Sequence, residues 1–197
     1  MENFTYCFLD YLPQVPAELL VDFEQYKVNK REVGIVGFVS TGPDGTKYNQ
    51  TDYERFNISG KLLEWLQFNI TRNALDYGAG FTVPPGPGAD HIKHIDYSRD
   101  YTLNYQLTTG GENVLTRFYK EKGQPLYRKQ LAIDVSPRDL TTYLLSRELE
   151  LVDSVRVPAG RWVLLNTKAI HEAVNLTDPR IAIQISLGAD NKFVTQV

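Results

Sequence analysis

From residue 91 onward the chain is a succession of short runs rich in branched and aromatic residues, and that pattern leaves few folds open. HIKHIDY, YTLNYQLTT, NVLTRFYK, KQLAIDV, LELVDSVRV, RWVLLNT and RIAIQISLG follow one another. Gly110-Gly111, Gly123-Gln124-Pro125 and Pro158-Ala159-Gly160 punctuate them. Such residues fit a pleated, half-buried surface, and glycine and proline supply the turns between. Several short strands at this spacing predict a sandwich or a double-sheet jelly roll. One helical turn or more is expected at 137–146, where Ser136, Pro137 and Asp139 give a cap, a first-turn proline and a capping-box acid.

The first third reads as mixed. Residues 4–9 read as a strand, and Pro16 opens a predicted helix from Ala17 to Tyr26 with Leu19, Leu20 and Phe23 on one face. Residues 33–40, VGIVGFVS, form a β run that ends in the turn Gly42-Pro43-Asp44-Gly45. Ser59 can cap a helix from Gly60 to about Arg72, with Leu62, Leu63, Leu66 and Ile70 on one face and Trp65 at its edge. Residues 78–90, GAGFTVPPGPGAD, hold four glycines and three prolines and read as an irregular loop. That loop leads into a histidine motif, where it can line or cover a site.

With no internal repeat and no linker, the 197 residues read as a single domain. It has an N-terminal strand and helix part at about 1–77 and a β core at about 90–190. The expected class is mainly β with flanking helices, closing as a double-stranded β-helix, or jelly roll. A net charge of −3, with basic residues scattered, gives no reason to expect binding to nucleic acid or to an anionic membrane. Lys27, Lys30 and Arg31, the densest basic group, read as a solvated face. No apolar stretch approaches membrane-spanning length, and Met1 to Leu20 lacks a basic segment followed by an apolar run. Cys7 is the single cysteine, so no internal disulfide can form. A cytoplasmic protein is expected.

Residues two apart in a strand share a face, so His94 and Asp96 of His94-Ile95-Asp96 can reach one metal ion together. His91 lies an odd number of positions from His94 and faces away if the strand continues. With three histidines in the chain, His171 is the remaining imidazole, delivered by the run RWVLLNTKAIH from the end of another strand. Two imidazoles and one carboxylate make the facial triad that holds non-heme iron(II) and leaves positions open for a bidentate cosubstrate and dioxygen. Zinc on the same ligands would keep one position for water and need a general acid or base, for which Glu172 is the candidate. Arg180, at the start of a β run, suits a bidentate clamp on the carboxylate of an acidic cosubstrate, a geometry lysine does not match. An H-x-D triplet alone is weak; the weight comes from the ordered set of His94, Asp96, Asn166, His171, Asn175 and Arg180.

These segments carry a family resemblance. H94-I-D96-Y-S-R99, L103-N104-Y105-Q-L107, G110-G-E-N-V114, W162-V-L-L-N166-T-K-A-I-H171-E-A-V-N175 and R180-I-A-I-Q-I-S-L187 resemble the iron(II)/2-oxoglutarate-dependent oxygenases. The nearest likeness is to small jelly-roll members related to prolyl and aspartyl/asparaginyl hydroxylases, phage-encoded ones among them. The resemblance covers about 90–190 and implies iron(II) between His94, Asp96 and His171. It implies 2-oxoglutarate chelated to the metal, with its distal carboxylate on Arg180, and dioxygen in the last position. The products would be succinate, carbon dioxide and a hydroxylated substrate.

One residue departs from the family pattern. Many members carry a serine two residues past this arginine, and here Ala182 stands there. A second carboxylate contact must then come from elsewhere; Thr102, Asn104 and Tyr105 are candidates, and Asn104 and Arg99 are the expected cosubstrate-binding residues. Asn175 is expected to anchor the turn after His171. Trp162 and Phe118 read as packing residues.

By family analogy the substrate is a free amino acid, a peptide or a protein side chain, in the host cytoplasm if the protein is phage-encoded. No basic and aromatic stripe points to a nucleobase. Two other readings stand beside this one. The first is a cupin-like metal-binding jelly roll that does not use 2-oxoglutarate, and the second is a non-enzymatic jelly-roll module. The sequence sets neither the substrate's identity nor an oligomeric state.

Overall fold

The computed structural model of the chain describes residues 4–33, 39–41, 47–49, 53–72, 78–83, 93–96, 99–122, 129–130, 141–143, 149–188 and 191–195. In chain order the strands are β1 (Tyr6–Phe8), β2 (Lys27–Val33), β3 (Val39–Thr41), β4 (Lys47–Asn49), β5 (Tyr53–Ile58), β6 (Gly78–Val83), β7 (His94–Asp96), β8 (Tyr101–Thr109), β9 (Leu115–Glu121), β10 (Lys129–Gln130), β11 (Thr141–Tyr143), β12 (Leu149–Val155), β13 (Trp162–Asn166), β14 (Ile170–Val174) and β15 (Arg180–Leu187). Helix α1 is Gly60–Asn69 and a short α2 is Lys192–Thr195.

Seven strands pair in the order β1-β13-β8-β15-β6-β5-β2 and six in the order β10-β11-β7-β14-β9-β12, while β3 and β4 form a separate ribbon. Every pairing in the two sheets is antiparallel. The class is mainly β, as the runs of branched and aromatic residues predict. From β6 to β15 the chain crosses repeatedly between sheets: β6, β8, β13 and β15 lie in the larger, and β7, β9 to β12 and β14 in the smaller.

Alternation along the strands sorts the larger sheet into two unlike faces. Leu103 and Tyr105 of β8, Trp162 and Leu164 of β13, and Ile183, Ile185 and Leu187 of β15 point outward. There they pack with Leu62, Leu66 and Ile70 of the α1 segment and with Phe23 and Tyr26. Burying a leucine of this kind stabilises the fold by about 2 kcal/mol. The intervening residues look into the space between the sheets. Half of that space is apolar: Val163 and Leu165 of β13 meet Phe118 of β9 and Val155 of β12, with Tyr6 stacked on Phe118. The half beneath β8 and β15 is polar, with Thr102, Asn104 and Gln106 beside Arg180 and Gln184, all buried.

Several local expectations are corrected. The helix expected from Ala17 to Tyr26 is two separate 3-10 turns, Ala17–Leu19 and Phe23–Tyr26. The second turn buries Phe23 and Tyr26, so packing of these rings sets the path instead of a continuous helical stripe. Helix α1 starts after Ser59 as expected, but Ser59 makes no side-chain cap and donates its hydroxyl to the Tyr26 carbonyl at 3.1 Å.

Gly78–Val83, expected as loop, is strand β6. It pairs with β15 on one side and β5 on the other, and two ladders of hydrogen bonds override the weak strand preference of glycine. Residues 84–90 lie outside the described residues, as do 34–38 and 42–45 of the expected 33–45 run and turn. Within the expected helical turn at 137–146, Thr141–Tyr143 is strand β11, paired to β7; the rest lies outside the described residues. Among the described residues, no helix is long and apolar enough to cross a membrane.

Candidate metal and anion site

Strand β7 lies between β11 and β14 in the smaller sheet. Its register sets position 94 directly opposite His171 of β14, and His171 is in turn opposite Phe118 of β9. Directly opposed residues share a face of a sheet, and Phe118 identifies that face as the one turned toward the larger sheet. Positions 94, 96 and 171 are therefore on one inner face. His171 sits within a strand, where the sequence suggests a strand end. A three-residue turn, Thr167–Ala169, separates β13 from β14.

That turn organises the two described ligand candidates. The Asn166 side-chain oxygen accepts from the backbone N–H groups of Lys168 at 3.0 Å and Ala169 at 3.3 Å, an Asx-type turn. The Thr167 carbonyl then accepts the Asp96 N–H at 2.8 Å, and Lys168 Nζ donates to the Asp96 carbonyl at 3.0 Å. The turn thus ties the Asp96 strand to the His171 strand. The Ala169 carbonyl faces His171 Nδ1 at 2.9 Å. A carbonyl has no proton, so the ring nitrogen must donate. In the neutral ring the lone pair is then on Nε2, the arrangement that metal-binding histidines adopt.

The Asp96 carboxylate is buried, and one of its oxygens, Oδ2, is ion-paired with Arg99 Nε. Arg99 Nη1 also donates to Gln184 Oε1 at 2.7 Å and to Ser186 Oγ at 3.4 Å. Arg99 is therefore anchored to β15 and directed at Asp96. Among the side chains the structure describes, no three His, Cys, Asp or Glu groups converge as a metal-binding cluster. His94 is placed by its backbone register, and Asp96 and His171 are the described members of the triad.

Arg180 opens β15 and is 5% exposed. No carboxylate pairs with it among the described residues. Its partners are neutral: Nε donates to Gln106 Oε1 at 3.4 Å and Nη2 to Thr116 Oγ1 at 3.3 Å. Burial alone pulls its pKa down from the ordinary guanidinium value to about 10. A buried cation normally has an anionic partner, because desolvating a lone charge costs several kcal/mol. Gly110 lets the guanidinium strand close up on the neighbouring turn. Its φ is +85°, and a Cβ there would sit 2.9 Å from Arg180 Cβ and 2.6 Å from Leu176 Cδ2.

Asn104 is buried opposite Gln184, and among the described residues its side-chain oxygen has no hydrogen-bond partner; the Thr102 hydroxyl, two residues back, has none among them either. Both side chains belong to the polar half of the inter-sheet space. Glu172 faces the other way. It accepts from the Tyr119 hydroxyl and lies 3.7 Å from Lys93 Nζ and 4.0 Å from Arg117 Nη1. Burial and this carboxylate push the Tyr119 phenol up to about 12. An acid or base role for Glu172 at the inner face is thereby removed.

Asn175 has a φ of 66° and donates from Nδ2 to the Asn113 carbonyl at 3.1 Å, which pins the turn after β14. Trp162 packs on the outer face and donates to the Pro13 carbonyl at 2.8 Å. Phe118 lies in the inter-sheet space, its ring centroid 6.3 Å from that of His171. A cleft of about 670 Å³ between residues 20–25 and the outer side of β8 is lined by Tyr105 and Leu107, on the face opposite the candidate site. Thr116 and Gln106 are neighbours of Arg180 that sequence patterns do not single out.

No family model matches the sequence, and no curated protein does either. Among solved structures the chain is similar to that of E. coli ycfD, with 14% identity and a TM-score of 0.43 over 97% of this chain and 52% of that one. The chain thus spans about half the length of that protein.

Proposed function

We propose that the protein is an iron(II)/2-oxoglutarate-dependent oxygenase with a jelly-roll core. The observation that carries this reading is Arg180: a buried guanidinium with no carboxylate partner among the described residues, in the same inter-sheet space as Asp96 and His171. Thr116, its partner on β9, is two residues from Phe118, which pairs with His171. That is roughly 7 Å along the strand. A five-carbon dicarboxylate can bridge a metal held near His171 and a guanidinium held near Thr116. Of the eight strands β6 to β9 and β12 to β15, four lie in each sheet, the division of a double-sheet jelly roll, which supports the fold half of the reading.

The residues present fit the metal. His171 is an imidazole held through Nδ1 by the Ala169 carbonyl, Asp96 is a buried carboxylate braced by Arg99, and position 94 is the cross-strand neighbour of His171. His94, Asp96 and His171 would hold iron(II), which with 2-oxoglutarate and dioxygen supplies the oxidising chemistry. The balance is one 2-oxoglutarate, one dioxygen and one substrate C–H converted to succinate, carbon dioxide and C–OH.

The chain's own residues bind and orient. Arg180 fixes the distal carboxylate by charge-assisted hydrogen bonds. Gln106 aims Arg180, Arg99 holds Asp96, and the apolar wall of Phe118, Val163 and Leu165 keeps water from the site. A free amino acid, a peptide or a protein side chain is the proposed substrate class. The test is succinate formation, followed by NMR, from 2-oxoglutarate, iron(II) and air. Wild-type protein should form succinate and Asp96→Ala should not. Iron binding with no binding or consumption of 2-oxoglutarate would refute the proposal in favour of a metal-binding fold of another chemistry.

A further inference from the structure

Beneath β8 the inter-sheet space holds two buried polar side chains, Thr102 and Asn104. They alternate with Leu103 and Tyr105 of the outer core, so both face inward. Among the described residues, the Thr102 hydroxyl and the Asn104 side-chain oxygen meet no hydrogen-bond partner. Leaving one such group unpaired in an interior costs about 1–3 kcal/mol. Two of them on one face of one strand point to a ligand.

The patch lies against the candidate metal site. Asn104 is opposite Gln184 and Thr102 opposite Ser186, the two residues of β15 to which Arg99 Nη1 donates. Arg99 Nε is ion-paired with Asp96. On the other flank Asn104 and Thr102 are opposite Val163 and Leu165 of the apolar wall. Arg180 is remote, since Gln184 and Ser186 follow it on β15 by about 13 and 20 Å of strand.

The chemistry of the patch does not suit the cosubstrate expected to meet Asn104. At neutral pH 2-oxoglutarate has acceptors and no donor, whereas the amide oxygen of Asn104 is satisfied only by a donor. An ammonium group would donate, but it would meet the Arg99 cation. A lone hydroxyl offers its donor and acceptor at one atom, while Thr102 and Asn104 are about 7 Å apart along the strand. An amide is uncharged, carries its N–H and C=O on different atoms, and answers both side chains.

We propose that the substrate is an amide, its N–H donated to Asn104 Oδ1 and its carbonyl accepting from the Thr102 hydroxyl. The inference rests on the oxygenase reading and narrows the substrate to a peptide group or a carboxamide side chain. Arg99 ties this patch, through Gln184 and Ser186, to the carboxylate that would hold the metal.

The test is an NMR titration of the isotope-labelled full chain loaded with zinc(II), first with 2-oxoglutarate and then with three small probes. N-methylacetamide stands for a peptide group and propionamide for a carboxamide side chain. Methyl acetate has the shape of the first without its N–H. At least one amide should shift the signals of Thr102, Asn104, Gln184 and Ser186, and the tighter of the two identifies the source. Methyl acetate should bind about tenfold more weakly or worse, because it leaves Asn104 unpaired. Asn104→Leu should weaken the amide by a similar factor and keep 2-oxoglutarate affinity within about twofold. Unchanged amide affinity in that variant would overturn the proposal. So would equal binding of amide and ester by the wild type, a comparison that does not depend on the variant folding. 2-Oxoglutarate bound with no amide at this patch would overturn the inference and leave the oxygenase reading standing. An amide bound here with no binding of 2-oxoglutarate would support the amide site and overturn the oxygenase reading.

Discussion

Replacing Arg180 by methionine should make the ligand-free protein slightly more stable and unable to bind a dicarboxylate. Burial holds the guanidinium pKa at about 10, well below its ordinary value, which at 1.36 kcal/mol per pH unit is on the order of 3 kcal/mol of uncompensated desolvation. Its two contacts, at 3.4 and 3.3 Å, are long and return about 1 kcal/mol each. Methionine fills a similar volume with no charge, so the net gain is about 1 kcal/mol. For a chain of this size that raises Tm by roughly 2–4 °C.

The sign with pH follows from the lowered pKa. The unfolded chain binds this proton more tightly than the folded one, so the penalty is fully present below pH 10. It is relieved as pH rises from about 10 toward the ordinary guanidinium pKa, and stability climbs in that window. Melting curves at neutral pH therefore carry the whole effect. A ligand at a hundred times its Kd adds about 2.7 kcal/mol to the stability of a protein that binds it. With metal present throughout, the wild type should gain that on adding 2-oxoglutarate, and Arg180→Met should gain nothing further. A fall in Tm of more than about 5 °C in the ligand-free variant, or a retained ligand shift, would refute the view that this cation is buried for an anion.

Two further substitutions probe the frame of the site. Arg99→Met should weaken metal retention about 10- to 100-fold, as loss of a group orienting a metal-bound carboxylate does; competition with a coloured chelator measures it, and an unchanged constant would deny Arg99 that role. Gly110→Ala should destabilise the fold by about 1–3 kcal/mol in chemical denaturation, since alanine is strained at a φ of +85° and its Cβ meets Leu176 and Arg180. A neutral result would show that the turn adapts.

The β half of the fold is legible because branched and aromatic residues recur in short runs between glycine and proline turns. His94 and Asp96 are legible as a pair because a strand repeats every two residues. Gly78–Val83 is not, because two neighbouring strands supply what its composition lacks. Nor is β14, since RWVLLNTKAIH reads as one run while Asn166 folds a turn inside it. Thr116 and Gln106 stay hidden for a different reason. Their value comes from meeting Arg180 across a sheet gap or a bulge, and no local pattern encodes such a meeting. The pairing of Arg99 with Asp96 is three residues apart in sequence, but its anchors, Gln184 and Ser186, are remote.

The central claim is that iron(II) and 2-oxoglutarate meet between these sheets. Anaerobic addition of iron(II) and then 2-oxoglutarate, watched for the weak visible charge-transfer band of the chelated complex, tests it most directly. The band should form in the wild type and be absent in His94→Ala. Iron bound without the band, or no iron bound at all, would contradict the account.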